Sequence, residues 1–155
     1  KHLVTATYKP LLVKYLSKTR TYSYKGINLL IHPAIFHPGF FFSTKLLYRC
    51  ISKLPLKQKS FLELGAGSGL IAMLASKQGA NVTATDINPV AIEYLKKNSA
   101  DNHLLIQIIH SDLFQDIPAQ RFDIIAINPP YYKKQALSLA DYAWYCGENG
   151  EYFAR

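Results

Sequence analysis

Several features that would define a membrane, fibrous or disulfide-stabilised protein are missing from this 155-residue chain. No apolar run reaches the roughly 18 residues that a membrane-spanning helix needs. The sequence has no internal repeat and no low-complexity stretch, and its eight glycines and eight prolines are an ordinary share for a folded domain. The composition therefore predicts one globular domain.

Cysteine is scarce as well. Cys50 and Cys146 are far apart in the sequence, and neither has the spacing of a metal site. We interpret both as reduced packing residues of a cytoplasmic protein, and we expect no metal. The chain opens at Lys1 rather than at a methionine, so a removed leader or a preceding segment stays open.

Acidic residues are absent from one whole part of the chain. Residues 1–60 contain eleven Lys and Arg and no Asp or Glu, whereas residues 61–155 contain seven Lys and Arg and ten acids. Charges of +11 and −3 give the net charge of +8. Nine aromatic residues are interleaved with the basic ones in the first part. This pattern indicates an anionic partner, RNA or a ribosomal complex first, with a solvated cationic face as the alternative.

Hydrophobic periodicity divides the chain into two parts. The first, residues 1–55, has a helical pattern from Thr5 to about Lys18 and a hairpin that turns at Lys25-Gly26. A second helix follows to about Lys53, with Ser43 or Thr44 as its cap.

In the second part, residues 56–155, strands and helices alternate, which predicts a parallel sheet with right-handed crossovers. The predicted strands span 60–64, 81–86, 104–110 and 122–127, the predicted helices span 69–78 and 89–99, and a last helical stretch lies around 148–155.

The most informative feature is the tetrapeptide Asn128-Pro129-Pro130-Tyr131, which follows an apolar strand pattern. Two prolines cannot continue a sheet ladder, so the chain leaves the strand rigidly at this point. The Asn oxygen and a proline carbonyl can each accept one hydrogen of an NH2 group, and a tyrosine ring can stack on a flat amide or base. The tetrapeptide is therefore typical of a site that holds a planar nitrogen nucleophile. A plain Pro-Pro turn is the alternative.

A glycine loop lies upstream, in Glu63-Leu-Gly-Ala-Gly-Ser-Gly69. Its glycines let the backbone turn tightly and approach a ligand next to a helix N-terminus. Position 70 is Leu, so the spacing departs from the dinucleotide fingerprint and argues against a dehydrogenase. Asp86 ends the next predicted strand about twenty residues further on, where an acid can accept from ribose hydroxyls. A tight strand-to-helix turn without a ligand is the alternative for the loop.

Four motifs in this order resemble those of class I S-adenosylmethionine (SAM)-dependent methyltransferases. They are Glu63-Leu-Gly-Ala-Gly-Ser-Gly69, Asp86-Ile-Asn-Pro89, Ser111-Asp112-Leu113-Phe114 and Asn128-Pro-Pro-Tyr131. The last is similar to the (N/D)PP(Y/F) motif of the amino-methylating branch. That branch includes release-factor glutamine methyltransferases of the HemK type and small-domain methyltransferases that modify adenine N6 or guanine N2 in RNA. The resemblance covers roughly residues 27–155 and implies SAM as the cofactor.

The resemblance also implies a Rossmann-like α/β fold with seven strands in the order 3-2-1-4-5-7-6. The sequence supplies strands 1 to 4, which predicts the partial order 3-2-1-4. Strands 5, 6 and 7 are missing from this chain. We therefore expect it to be an amino-terminal portion of a longer protein.

By the same resemblance, each matching residue has an expected role towards the cofactor. Glu63 is expected beside the ammonium group of SAM, and Asp86 at its ribose hydroxyls. Asp112 is expected at the adenine amino group, although Ser111-Asp112 can also cap a turn. The other expected cofactor contacts are Gly65, Ala66, Gly67 and Gly69 in the loop, Ile87 and Leu113 on the adenine ring, Asn128, and Thr44 with Phe41 and Phe42 as a cover. Core packing is the alternative for the two rings.

The catalytic residues implied by the resemblance are Asn128, Pro129, Pro130 and Tyr131. The Asn128 oxygen and the Pro129 carbonyl are expected to accept the hydrogens of the acceptor NH2 group while Tyr131 stacks on it, with Tyr132 as a second candidate. The predicted function is N-methylation of an RNA base or a protein glutamine, and the alternative is a non-catalytic SAM- or RNA-binding module. Pro38-Gly39 departs from the Pro-Arg-Pro-Glu-like run of release-factor enzymes, so both acceptors stay open. No membrane partner is expected, and the oligomeric state stays open.

Overall fold

The computed structural model describes residues 15–154, and a β-hairpin opens this range. Strand β1 (Arg20–Tyr24) pairs antiparallel with β2 (Ile27–Ile31), with Tyr24 opposite Ile27. Lys25 and Gly26 form the turn, and both have positive φ, 51° and 74°. Two positive φ angles define the turn type whose twist matches that of the strands. The predicted hairpin is confirmed, whereas most of the predicted helix from Thr5 to Lys18 lies outside the described residues.

A four-stranded parallel sheet forms the centre of the molecule. After a 3-10 turn (Pro38–Phe40) and helix α1 (Phe42–Ile51), the chain alternates through β3 (Ser60–Leu64), α2 (Leu70–Lys77), β4 (Asn81–Asp86), α3 (Pro89–Asp101), β5 (Ile106–His110) and β6 (Ile124–Ile127). The strands lie in the order β5-β4-β3-β6, and every neighbouring pair is parallel. This is the predicted order 3-2-1-4, so the expected Rossmann-like arrangement is confirmed. The last two predicted strands each begin two residues later than their sequence patterns.

Helix α1 begins earlier than predicted, and neither proposed cap is correct. Phe41 precedes the first helical residue with an extended backbone, φ −121° and ψ 134°, and no side chain caps the helix. Ser43 and Thr44 lie inside the first turn instead. The buried Thr44 hydroxyl faces the Asn128 side chain, 3.4 Å from its Nδ2 atom. Its hydrogen-bonding partner therefore lies at the end of β6 and not in the first turn of α1.

The predicted cap of α3 is confirmed. The Asn88 side-chain oxygen accepts a hydrogen bond from the Val90 N–H at 3.0 Å, and Pro89 occupies the first helical position. Proline suits this position because its missing N–H would have no helical partner there. The carboxyl-terminal helical stretch is shorter than predicted, a 3-10 turn at Glu151–Ala154. Another 3-10 turn spans Leu139–Ala143.

The core joins the hairpin to the sheet. Strand β3 lies between β4 and β6, and its Phe61 and Leu62 are fully buried. One cluster of buried side chains contains Ile27, Leu29 and Ile31 of the hairpin together with residues of α2 and α3. The proposed division of the chain into residues 1–55 and 56–155 therefore stays a prediction. Of the two cysteines, Cys146 is buried as expected, whereas Cys50 is exposed, and both are free thiols.

Two asparagines on α3 complete the free edge of β2. The Asn98 amide accepts from Leu30 N (2.7 Å) and donates to Leu30 O (3.1 Å), and the Asn102 amide does the same with Asn28 N (3.0 Å) and Asn28 O (2.6 Å). Four helical residues rise about 6 Å and two strand residues about 6.6 Å, so the two spacings match. The side-chain amides therefore stand in for a neighbouring strand and protect the edge.

Asn98 also donates to Ser68 O at 3.0 Å and is fully buried. We predict that Asn98→Ala lowers the free energy of unfolding by at least about 2 kcal/mol, because one buried and two part-buried backbone groups lose their partner, at about 1–3 kcal/mol for a buried one. Denaturant unfolding measures this loss. Asn102→Ala is the matched control, and it should cost less because its site is more open to water. Equal losses in the two variants would contradict the special role of Asn98.

Candidate functional site

A cavity of about 470 Å³ opens at the carboxyl ends of β3, β4 and β6. Ligands of parallel α/β sheets bind at this end, and the volume suits a small organic molecule. Nearly all residues predicted from the sequence line it: Thr44, Glu63, Gly65, Ala66, Gly67, Asp86, Ile87, Asp112, Leu113, Asn128, Pro129, Pro130 and Tyr131, together with Phe41 and Tyr132. Gly69 and Phe42 do not.

Asp86 organises the glycine loop. Its two carboxylate oxygens accept hydrogen bonds from Gly67 N at 2.8 Å and from Asn88 N at 2.9 Å. Gly67 and Gly65 both have positive φ, and a Cβ atom added at Gly65 would meet no heavy atom within 4 Å. The Gly65 backbone is therefore uncovered, which leaves clearance for a ligand at this point of the loop.

Gly69 has a different role from the one the resemblance implied. It precedes α2 with φ 85°, and a Cβ atom there would lie 2.2 Å from Leu95 Cδ1. The third glycine is therefore required by the conformation of the turn and by the packing of α3 against it. The alternation of glycines in the motif does not distinguish this packing role from contact with a ligand.

Glu63 is buried in β3 with its charge-bearing group close to a helix start. Its Oε2 atom accepts from the Ala72 N–H of α2 at 2.7 Å. Burial raises the pKa of Glu63 from 4.5 to about 8, opposed by this hydrogen bond, and the nearby Asp86 raises it further. Burial also raises the pKa of Asp86, against the two backbone N–H groups that favour its charged form. Two acids with raised pKa values side by side form a site suited to a cation.

The segment after β5 forms a tight turn at the cavity wall. The Ser111 hydroxyl donates to Leu113 O at 2.9 Å and accepts from Asp116 N at 3.0 Å. Leu113 has φ 52°, a conformation that is strained for a residue with a side chain. Ser111 thus holds the turn, while Asp112 and Leu113 line the cavity.

Asn128 lies at the tip of β6 between two hydroxyl groups. Its Oδ1 atom accepts from the Tyr131 hydroxyl at 2.5 Å, and its Nδ2 atom lies 3.4 Å from Thr44 Oγ1. The Thr44 contact turns the amide so that its oxygen points away from α1. Tyr131 remains 57% exposed, so its ring has a free face at the cavity.

Part of one wall of the cavity, formed by Phe36 and Trp144, was not predicted from the sequence, whereas Phe41 beside them was expected as a cover. Phe36, Phe41 and Trp144 form an aromatic cluster with ring centroids 4.2–5.2 Å apart. Trp144 reaches it because Tyr132 N donates to Trp144 O, and Cys146 N donates to Tyr132 O, both at 3.0 Å. The residues after the tetrapeptide therefore fold back over the cavity, and no local periodicity in the sequence signals this pairing.

Within residues 15–154, no group of three His, Cys, Asp or Glu side chains is arranged to hold a metal ion. In the same range, no helix combines the length and the apolar character required to cross a membrane.

The parallel sheet, the glycine loop and the acids at the strand ends define the class I methyltransferase type of fold. A family described as "Methyltransferase small domain" matches residues 26–143, and the chain belongs to this family.

Several relatives of this chain are named as methyltransferases. A protein of Methanocaldococcus jannaschii named as a protein N5-glutamine methyltransferase is 38% identical over 108 residues, which cover 69% of this chain and 52% of that protein. The ribosomal RNA small subunit methyltransferase C of Hamiltonella defensa is 30% identical, over 76% of this chain and 35% of the relative. The chain therefore spans about half or less of the length of these relatives.

A solved methyltransferase structure has a similar fold. The T. thermophilus 16S rRNA N2 G1207 methyltransferase, in complex with AdoMet and guanosine, superposes with a TM-score of 0.63 at 26% identity. The match covers 81% of this chain and 37% of that one.

We predict that the protein loses stability as the pH rises from about 5 to about 8. The pKa of Glu63 is about 8 in the folded protein against 4.5 ordinarily, so the folded state binds this proton more tightly. The resulting stability is complete below 4.5 and is lost as the pH rises through 8, and Asp86 acts with the same sign.

Thermal unfolding between these pH values checks this prediction. The control is Glu63→Gln, whose amide oxygen can accept from the Ala72 N–H without titrating. Its melting temperature should fall less with pH than that of the unmodified chain, and parallel curves would contradict the assignment.

Proposed function

We propose that this chain is the catalytic part of a SAM-dependent N-methyltransferase, which transfers a methyl group to a planar amino or amide nitrogen of an RNA base or a protein glutamine. One observation carries the proposal: the buried acids, the glycine loop and the Asn128 tip all line a single cavity. A cofactor site alone would not need an amide at the end of β6. A site for methyl transfer to nitrogen needs the cofactor-binding residues and the Asn128 amide side by side.

The donor set of the cavity fits SAM. Glu63 offers a buried carboxylate for the ammonium group, and a cation beside it would reverse the penalty that raises its pKa. Each carboxylate oxygen of Asp86 accepts one backbone N–H, from Gly67 or from Asn88. Because a carboxylate has about four acceptor positions, Asp86 can also accept from ribose hydroxyls. Asp112, Ile87 and Leu113 are proposed at the adenine ring.

SAM would supply an activated sulfonium methyl group: the nitrogen lone pair forms the N–C bond as the S–C bond breaks, the thioether leaves neutral, and the methylated nitrogen loses one proton to water. The task of the protein is to orient the nitrogen lone pair and to compensate the positive charge that develops on it. Asn128 Oδ1 and the Pro129 carbonyl do both by accepting the two NH2 hydrogens. Tyr131 already places a hydroxyl on Asn128 Oδ1, and we propose that the acceptor NH2 group takes over this position while the ring stacks on the acceptor.

The acceptor is tested by supplying radiolabelled SAM together with total RNA or with ribosomal and release-factor proteins. Label in RNA supports a base as the acceptor, and label in protein supports glutamine. Absence of label in both, with SAM bound, would favour a non-catalytic binding module.

We predict that Asp86→Ala weakens SAM binding by about 1.5–3 kcal/mol, the scale of hydrogen bonds to a charged group. The loss has two sources, the ribose contacts and the release of Gly67 N from its partner. Calorimetric titration with SAM measures it. Asp101→Ala is the control, since it removes an exposed acid of α3 and should leave the affinity unchanged. Undiminished affinity in folded Asp86→Ala would rule out this role.

We predict that Asn128→Ala lowers the rate of methyl transfer by about 10²-fold or more, because the amide oxygen faces the acceptor in the transition state. The affinity for SAM should change little. The control is Asn128→Asp, which keeps a side-chain oxygen of the same reach and should retain more activity than the alanine variant. Full turnover in Asn128→Ala would show that the tetrapeptide is only a turn.

A further inference from the structure

Helix α1 carries a line of cations that the cofactor site does not use. Lys45, Arg49 and Lys53 follow one another at four-residue spacing, and all three are exposed. Four helical residues rise about 6 Å and turn only slightly past a full circle, so the three cations lie along one side of the helix and its carboxyl-terminal turn. The ion pairs formed within residues 15–154 are Lys59–Asp123 and Lys97–Glu93, so none of the three cations has an acidic partner in this range.

A second line of residues runs beside the cations. Phe42 and Leu46 are again four residues apart, and they are 73% and 48% exposed. A large aromatic ring that is mostly exposed at the start of a helix contributes nothing to the core. A flat ring beside a row of cations is the combination that binds single-stranded nucleic acid, in which bases stack and phosphates pair with Lys and Arg.

The same helix begins at the cavity. Phe41, the residue before α1, packs in the aromatic cluster with Phe36 and Trp144, and Thr44 of the first turn contacts Asn128. The exposed side of α1 therefore runs outwards from the mouth of the cavity. A strand that lies along it has one end next to the Asn128 tip.

We propose that the exposed side of α1, formed by Phe42, Lys45, Leu46, Arg49 and Lys53, is the docking surface for a single-stranded RNA segment, whose terminal or unpaired base enters the cavity. Charge complementarity favours a phosphate chain, because residues 1–60 contain no acid to repel it, and the exposed Phe42 ring beside the cations offers a face on which a base can stack. The proposal rests on the proposed function for the identity of the acceptor, but binding to the surface itself requires neither SAM nor Asn128.

The decisive experiment measures binding of a fluorescein-labelled single-stranded RNA of mixed sequence by anisotropy, without SAM, at several salt concentrations. The test variant is Lys45→Gln with Arg49→Gln. Each phosphate contact contributes about −0.7 to the slope of log affinity against log salt, so the slope should become shallower by about 1.4. With equal affinities of the variant and the unmodified chain at 1 M salt, this difference in slope corresponds to a roughly 25-fold lower affinity of the variant at 0.1 M salt.

The charge-matched control is Lys96→Gln with Arg121→Gln. It removes two exposed cations. Lys96 lies in the middle of α3, and Arg121 lies before β6, at the end of this strand opposite to the cavity. Its affinity and slope should stay close to those of the unmodified chain. Equal losses in both double variants would show a general effect of net charge and would overturn the docking surface.

The aromatic part of the surface is tested separately with Phe42→Ala. This change should weaken RNA binding by roughly tenfold through lost stacking, while the salt slope stays the same. Leu105→Ala is the matched control, because Leu105 is 92% exposed and lies before β5, away from the cavity. RNA affinity that is unchanged in Phe42→Ala and in the Lys45 and Arg49 variant would overturn the proposal.

Failure of the docking surface and failure of the proposed function are distinguishable. RNA binding that depends on Lys45 and Arg49 in a chain that does not bind SAM supports the surface and sinks only the proposed function. SAM binding with methylation of protein glutamine, and no dependence on the α1 cations, keeps the proposed function and overturns the surface.

Discussion

Two buried carboxylates at neighbouring strand ends set the geometry on which the site depends. Glu63 and Asp86 are almost completely removed from water, and each accepts backbone N–H groups of the segment that leaves the sheet. Through these bonds Glu63 holds the first turns of α2, while Asp86 holds the glycine loop and the entry to α3. The strands, the loop and both helices are therefore positioned by the same two side chains. Neither acid is replaceable by an apolar residue without leaving backbone donors unpaired.

This arrangement is costly without a ligand. Burial raises the pKa values of both acids, and Asp86 raises that of Glu63 further, so the charged form of each carboxyl is disfavoured at this position. A cation bound beside the two acids would favour their charged forms and so remove part of that cost. Stability of the free chain and affinity for a cationic ligand are thus opposed here.

The sequence predicted the parts of the fold that follow from local rules. Alternating strand and helix patterns predicted a parallel sheet, whose strand order the resemblance supplied, Asn88-Pro89 predicted a helix start, and Lys25-Gly26 predicted a hairpin turn. What it did not predict depends on contacts between distant residues. Thr44 has the chemistry of a helix cap, but its hydroxyl contacts Asn128, 84 positions away. Gly69 matches a ligand-binding pattern, but Leu95 of another helix requires it. Trp144 reaches the cavity only through pairing with Tyr132, which leaves no periodic signal.

The contact of Thr44 with Asn128 connects helix α1 to the proposed acceptor site. An amide at the end of a strand can rotate, and only one orientation presents its oxygen to an acceptor nitrogen. The Thr44 hydroxyl accepts from Nδ2, and so favours the rotamer in which Oδ1 faces Tyr131 and the cavity. Because Thr44 is buried in the first turn of α1, any ligand that shifts this helix also shifts the hydroxyl that orients the amide. Under the two proposals, binding along the exposed side of α1 and orientation of the acceptor nitrogen are linked through the buried Thr44 side chain.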